Sequence, residues 1–312
     1  MAWVAYASAE QAVAGWQVCP TDPESLGPCE LVSTRTGDGW VSSSTRPSGH
    51  LQASITSNGY VALWSRPRGL RLLDAAGTIA RVGVDARPEP AGRFEPVFGS
   101  GWVGPGVETD LWAYDRIHHV ARPVPPTPQI KSRPSAVRTR GGRLWVEGWG
   151  THLQVWVAWT DDGGATWTEH RLTRSGYPGG LAVAPGGQVA AFAWNDHAAS
   201  LRGASQISRD NGATWARFHL AVGPTRIDSE GIPGGPSAVT RLTRRTIFVV
   251  DAATHTLWTS TGDWSSFHQV PRAGRVSWVQ SNHGLLWAGG HDNQHIELST
   301  DYGRTWHAIQ PR

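Results

Sequence analysis

The sequence predicts an all-β fold of seven four-stranded antiparallel blades, and three observations carry that expectation. A [ST]-x-D-x-G-x-T-W segment recurs, Gly and Pro punctuate short apolar runs throughout, and no run is long and amphipathic enough for a helix. The 312 residues include 37 Gly, 21 Pro and 18 Trp. So many turn residues fit many short strands, and the aromatic content can build a core that a disordered chain would lack.

The repeat comes first. Three segments match position by position: 160–167 (TDDGGATW), 208–215 (SRDNGATW) and 299–306 (STDYGRTW). Asp162, Asp210 and Asp301 can accept hydrogen bonds from N–H groups of their own turn, as Asp commonly does. Gly164, Gly212 and Gly303 supply a positive φ, and Trp167, Trp215 and Trp306 are placed to drop between neighbouring sheets. Two decayed copies share the frame: 33–40, where Arg35 replaces the Asp, and 260–267, which keeps only its ends.

The spacing gives the number of units. From Trp167 to Trp215 is 48 residues, to Phe267 another 52, and to Trp306 another 39. From Trp40 to Trp167 is 127, or three periods of about 42, within the range of a four-stranded blade. Two degenerate copies are therefore expected between, at 73–78 and 114–118. The result is one domain over 1–312, with blades near 1–46, 47–88, 89–124, 125–173, 174–222, 223–271 and 272–312.

The inner strands repeat as well. Residues 134–137 (PSAV) recur at 236–239, with relatives at 181–184 and 276–279, each followed by a short turn and an apolar strand. A unit reads as strand A, tight turn, strand B, longer loop, strand C, box, strand D. In this frame Cys19 ends strand B of the first unit and Cys29 opens strand C. A disulfide across that hairpin is expected, and with it an oxidising compartment. The last unit ends with its four strands in order, so closure is expected from packing of the first unit on the seventh and from the disulfide.

The repeated boxes resemble those of the Asp-box (bacterial neuraminidase repeat) β-propellers, a group spanning sialidases, xyloglucan-degrading glucanases, sortilin-type receptors and photosystem assembly propellers. The resemblance runs through the whole chain and implies the fold; the box serves enzymes and non-enzymes alike. A sialidase would need three carboxylate-clamping arginines and a Tyr nucleophile. Its Arg-Ile-Pro motif has only 226–228 (RID) as a counterpart, and Tyr177 is the one tyrosine placed on the mouth face.

Alternating strand direction puts A–B turns and boxes at one end of each blade, and B–C and D–A loops at the other. Those loops hold Glu147, Trp149, His152, Trp194, Asp196, His197, Arg226, Asp228, Glu230, Asp251, His255, His291, Asp292 and His295. Trp149, His152, Trp194, His197, Arg226, His255 and His291 are the expected ligand contacts. Asp196, Asp228, Glu230, Asp251 and Asp292 are the candidates for an acid and a base, should the mouth be catalytic.

The leading expectation is an extracytoplasmic propeller binding a glycan or a protein through the B–C/D–A loops. A sialidase-like glycoside hydrolase or lyase, and an assembly scaffold, are the alternatives. No cofactor or metal is expected, since the histidines lack ligand spacing. A net charge of +3, spread along the chain, argues against nucleic acid. No apolar stretch reaches the ~20 residues of a membrane helix. No signal-peptide pattern opens the chain, whose one Met is Met1, and a monomer is expected.

Overall fold

The computed structural model describes residues 2–6, 12–18, 30–35, 52–55, 61–65, 69–73, 79–93, 95–99, 111–138, 141–194, 205–217, 221–222, 236–241, 243–251, 254–262, 264, 266–271, 274–282, 285–290 and 296–309. Their strands form seven sheets in chain order.

Sheet 1 holds β1 (Ala2–Tyr6), β2 (Ala12–Val18) and β3 (Glu30–Arg35). Sheet 2 holds β4 (Gln52–Ile55), β5 (Val61–Ser65), β6 (Gly69–Leu73) and β7 (Ile79–Arg81). Sheet 3 combines β8 (Gly83–Val84), β9 (Val97–Gly99), β10 (Leu111–Asp115) and β11 (Val120–Pro123) in the order β8-β11-β10-β9. Sheet 4 is β12 (Ser132–Arg138), β13 (Leu144–Trp149), β14 (Val155–Thr160) and β15 (Thr168–Thr173). Sheet 5 is β16 (Tyr177–Val183), β17 (Val189–Trp194), β18 (Gln206–Ser208) and β19 (Ala216–Arg217). Sheet 6 adds β20 (Ala221–Val222) outside β24 (Ser266–Gln269), β23 (Leu257–Ser260), β22 (Ile247–Asp251) and β21 (Pro236–Arg241). Sheet 7 is β25 (Val276–Asn282), β26 (Leu285–Gly290), β27 (Ile296–Ser299) and β28 (His307–Ile309).

The four-stranded antiparallel unit is thus the rule, with three departures from the expected seven copies. Among the described residues five sheets are four-stranded, the first has three strands and the sixth has five. In sheets 3 and 6 the outermost strand is a linker running parallel to its neighbour, β8 on β11 and β20 on β24. Residues 83–84 and 221–222 therefore belong to the sheet that follows, not to the blades ending at 88 and 222. The turn at 114–118 is also not a decayed box: it joins the second and third strands of its sheet, β10 and β11, at the opposite end from the boxes. The fourth strand expected near Trp40 lies outside the described residues.

Edge strands adjoin from sheet to sheet in the order β1, β4, β9, β12, β16, β21, β25, and β1 also touches β26. Between neighbouring sheets lie separate apolar layers. Leu70, Phe98, Trp112 and Tyr114 fill the layer between sheets 2 and 3, and Val97, Leu111, Leu144 and Val146 that between 3 and 4. Trp145, Val157, Leu181 and Ala191 lie between 4 and 5, Phe192, Val249, Trp264 and Phe267 between 5 and 6, and Phe248, Val250, Leu286 and Ala288 between 6 and 7. The second strands, β13, β22 and β26, are buried on both faces and so read as near-continuous apolar runs.

Each box is a closed hydrogen-bond circuit. Thr160 Oγ1 donates to Asp162 Oδ1 and accepts from Gly164 N, while Asp162 accepts from Thr166 N and Thr166 Oγ1. Ser208, Asp210, Gly212 and Thr214 repeat the circuit, as do Ser299, Asp301, Gly303 and Thr305. The residue before each box glycine is left-handed too: Gly163, Asn211 and Tyr302 have φ of 74°, 61° and 64°. A Cβ on Gly212 would lie 2.8 Å from Trp159 and 3.0 Å from Trp145, so the turn needs Gly for contact as well as for its φ of 96°. Trp167, Trp215 and Trp306 are each partly buried against the layer shared with the preceding sheet.

Candidate functional site

The end opposite the boxes is built most completely in sheets 3 to 6. On β13, Leu144 and Val146 pack toward sheet 3, and Trp145 and Trp149 toward sheet 5. Glu147 shares the sheet 5 side by strand alternation. After Trp149 the chain turns through a short 3-10 segment, Thr151–Leu153, in which His152 and Leu153 are left-handed at φ 57°. Gly150 is required here, because a Cβ would sit 2.8 Å from Gln129 O and 2.7 Å from the Trp156 indole nitrogen.

This turn and strand hold the start of sheet 5. Gly176 N donates to Leu153 O at 2.9 Å, and Trp149 Nε1 donates to Gly176 O at 2.7 Å. The Trp149 ring meets the Tyr177 ring edge-on at 5.4 Å. Gly180 N, beside the bulge between Pro178 and Gly180, donates to Glu147 Oε2 at 2.6 Å. Trp149 is therefore a seam residue between two sheets, half-buried and engaged at both ring and nitrogen.

Glu147 is fully buried, and its Oε1 has no hydrogen-bond partner among the described residues. Loss of hydration pushes its carboxyl well above the usual range, and the single Gly180 N–H pulls weakly the other way. The register explains its surroundings. Box position one pairs with Leu144, Val189 and Ile247 in sheets 4, 5 and 6. Glu147 thus stands where sheets 5 and 6 place Phe192 and Val250, an apolar slot holding an acid.

Sheet 6 repeats the seam with other residues. Asp251, also fully buried, accepts Thr254 N on Oδ1 at 3.1 Å, and its carbonyl accepts His255 N at 2.9 Å. His255 is left-handed at φ 57°, and its carbonyl accepts Val276 N at 2.7 Å, as Leu153 does for Gly176. His119 in sheet 3, at φ 54°, likewise accepts Gly83 N. Asp251 is a turn cap within its own strand connection.

Of the expected mouth residues, Trp149, His152, Asp251 and His255 lie at the end opposite the boxes, with His152 exposed. Trp194 ends β17 at the same end, and its backbone pairs with Tyr177. The structure brings Trp149, Tyr177 and the backbone of Trp194 together, while Asp251 and His255 form a separate group on sheet 6. Asp196, His197, Arg226, Asp228, Glu230, His291 and Asp292 lie outside the described residues, as do Cys19 and Cys29. Among the described residues no three His, Cys, Asp or Glu are grouped to hold a metal ion.

No family model and no curated protein matches the chain. Among solved structures, hydrazine synthase of Kuenenia stuttgartiensis is similar with a TM-score of 0.57 at 11% identity, covering 90% of this chain and 89% of that one. That likeness, with the consecutive sheets and adjoining edge strands, decides the fold. The chain folds as a β-propeller. At 11% identity the likeness carries fold and no activity.

Proposed function

We propose that this propeller is a seven-bladed Asp-box protein of the sialidase-like superfamily, working outside the cytoplasm, and that it binds a glycan or protein ligand at the end opposite the boxes. The adjoining of β1 with both β4 and β26 supports a ring of seven. One observation favours binding over hydrolysis. A glycosidase needs two carboxyl groups roughly 5–10 Å apart across a wet pocket. Of the described carboxyl groups of strand B at this end, Glu147 and Asp251 are instead fully buried and tied to backbone N–H groups, and Asp115 is held by His118 and Arg122. The candidates left for acid–base work are Asp196, Asp228, Glu230 and Asp292.

A glycan array paired with a panel of chromogenic glycosides tests the reading. Binding without turnover is the expected result. Cleavage of any glycoside, abolished by alanine at one of those four carboxylates in a protein that still melts cooperatively, would put hydrolysis in its place.

A further inference from the structure

Four arginines stand exposed at the box end of neighbouring sheets: Arg209 in the box of sheet 5, Arg244 and Arg245 between β21 and β22, and Arg304 in the box of sheet 7. The turn with Arg244 and Arg245 belongs to that end because Ile247, which follows it, pairs with Ser260 at box position one. Among the described residues none of these four guanidinium groups has an ion pair or a hydrogen bond. Sheet 4 differs. There Arg143 Nε donates to Asp161 Oδ1 at 2.7 Å, at box position two, and Arg143 Nη1 donates to Asn211 O of the next box at 2.9 Å. In sheet 5 Arg209 stands at the position of Asp161, which turns it from anionic to cationic.

Contacts join the four into one strip. A Cβ on Gly186 would lie 3.2 Å from Arg244 Nη2, so Arg244 reaches from sheet 6 over the turn between β16 and β17. Asn211 N donates to Gly187 O at 3.0 Å, which ties that turn to the box holding Arg209. On the other side a Cβ on Gly303 would lie 3.0 Å from the Phe248 ring, so Tyr302 and Arg304 stand beside the strand that leaves the Arg244 turn. The described carboxylates of this strip, Asp210 and Asp301, turn their oxygens onto Ser and Thr donors of their own boxes, and they are two against four arginines. Tyr302 is left-handed at φ 64° and 57% exposed, where sheets 4 and 5 place Gly163 and Asn211. That backbone disfavours a bulky residue, yet the ring remains mostly in solvent.

We propose that the box end of sheets 5 to 7 binds a polysaccharide bearing sulfate or carboxylate groups, with the arginines on the anionic groups and the Tyr302 ring against a sugar face. A guanidinium fork fits either oxyanion through two parallel N–H donors. An anionic polysaccharide uses both features of the strip, because its charged groups alternate with the C–H faces of its rings. A single nucleic-acid strand calls for a series of stacking aromatics, and Tyr302 is the one aromatic exposed among the large apolar side chains described. A protein partner calls for an apolar centre inside a polar rim, whereas the other large exposed apolar residues described, Val84, Ile117 and Leu153, belong to sheets 3 and 4. This inference goes beyond the ligand reading, because the strip lies at the opposite end from the mouth.

Titration calorimetry of the full chain with dextran sulfate, polygalacturonate, neutral dextran and an oligothymidylate tests it. Binding to one or both of the anionic polysaccharides is expected, with the stronger of the two naming sulfate or carboxylate as the preferred group. It should fall steeply when salt shortens the screening length to about 3 Å near 1 M. The double substitution Arg244→Gln and Arg245→Gln should weaken it by about tenfold or more, as loss of charged hydrogen bonds does. Tyr302→Asn suits the left-handed backbone and should weaken it severalfold while leaving the salt dependence unchanged. Both variants should keep the parent melting temperature, since none of these side chains holds the fold. Absence of binding to both anionic polysaccharides, equal binding to neutral dextran, tighter binding to the oligothymidylate, or binding indifferent to either variant would overturn the proposal.

Discussion

Asp210 takes Ser208 Oγ, Thr214 N and Thr214 Oγ1 onto one carboxylate, and Asp301 repeats the arrangement with Ser299 and Thr305. The Thr side-chain and backbone donors hold both carboxyls down to about 2. A carboxyl depressed on folding stabilises fully above its unfolded value, near 3.8, and the stabilisation is lost as pH falls from there through about 2. Asp210→Asn should therefore melt lower than the parent at pH 6 and lose less on going to pH 2, read by thermal melts at the two pH values. Glu147 has the opposite sign. Its carboxyl is raised by burial, so the fold is favoured below the unfolded value near 4.5 and loses stability as pH rises through the folded one. Glu147→Gln keeps an acceptor for Gly180 and should raise the melting temperature at pH 8 while leaving that at pH 4 nearly unchanged. Gly212→Ala tests contact rather than charge: its Cβ meets Trp159 and Trp145 at φ 96°, at a cost of about 1–3 kcal/mol in a denaturant titration. At this scale the box was legible because its chemistry is local. The fate of Glu147 was not, because it depends on which sheet face carries position 147, and the residue reads as a loop acid until the register is known.

At the scale of strands and turns, the register separates what repeats from what only looks repeated. The two PSAV segments are the clearest case. Val137 pairs with Trp145, one residue past the partner of box position one, whereas Val239 pairs with Val249, two past it. The matching letters are offset by one, and an offset of one exchanges sheet faces. Sequence identity over four residues could not reveal this, since the bulges between Ser132 and Ser135 and between Pro236 and Ala238 shift each strand separately. The decayed box of sheet 6 carries a similar surprise. Trp264 occupies the box glycine position, left-handed at φ 64° and fully buried, and sheet 5 offers the smaller Ala190 and Ile207 where sheet 4 has Trp145 and Trp159. The lost glycine is matched by smaller residues opposite. Trp264→Gly would restore the repeat in sequence and relieve the backbone, yet it should destabilise by about 3–5 kcal/mol through the cavity left behind, measured by denaturant unfolding. The hairpin of β2 and β3 carries one more expectation. Its last described pair is Val18 with Glu30, which makes Cys19 and Cys29 the next positions along. A bridge there would contribute about 2–3 kcal/mol by the chain-entropy model. Intact mass after alkylation without reductant should show no added groups, and two added groups would remove the disulfide.

For the whole molecule, stability is shared between neighbours: each layer of core belongs to two sheets, and short backbone bonds such as Gly176 N to Leu153 O and Val276 N to His255 O tie one sheet to the next. The four-stranded repeat was readable from the boxes and the spacing of tryptophans, and five of the sheets among the described residues follow it, but the linker strands β8 and β20 were not, because two-residue pairings leave no apolar pattern. In an open array the terminal sheets would each present an uncovered apolar face, as in solenoids that need caps. Here β1 meets both β4 and β26, and in the proposed ring of seven sheet 1 covers the faces that sheets 2 and 7 would otherwise expose. Two rearranged chains separate closure from mere length. Removal of residues 1–46 should uncover both faces, lowering the melting temperature and broadening the transition or causing aggregation. A circular permutant that joins 312 to 1 through a flexible Gly/Ser linker and begins at 273 keeps every sheet and every neighbour. Its melt should remain a single transition within a few degrees of the parent, because only the connection between sheets 6 and 7, flanked by the exposed Pro271 and Gly274, is cut. Differential scanning calorimetry of the three proteins distinguishes the cases. A truncated chain that melts like the parent would mean that sheet 1 covers nothing, and the seven-unit ring would fall with it.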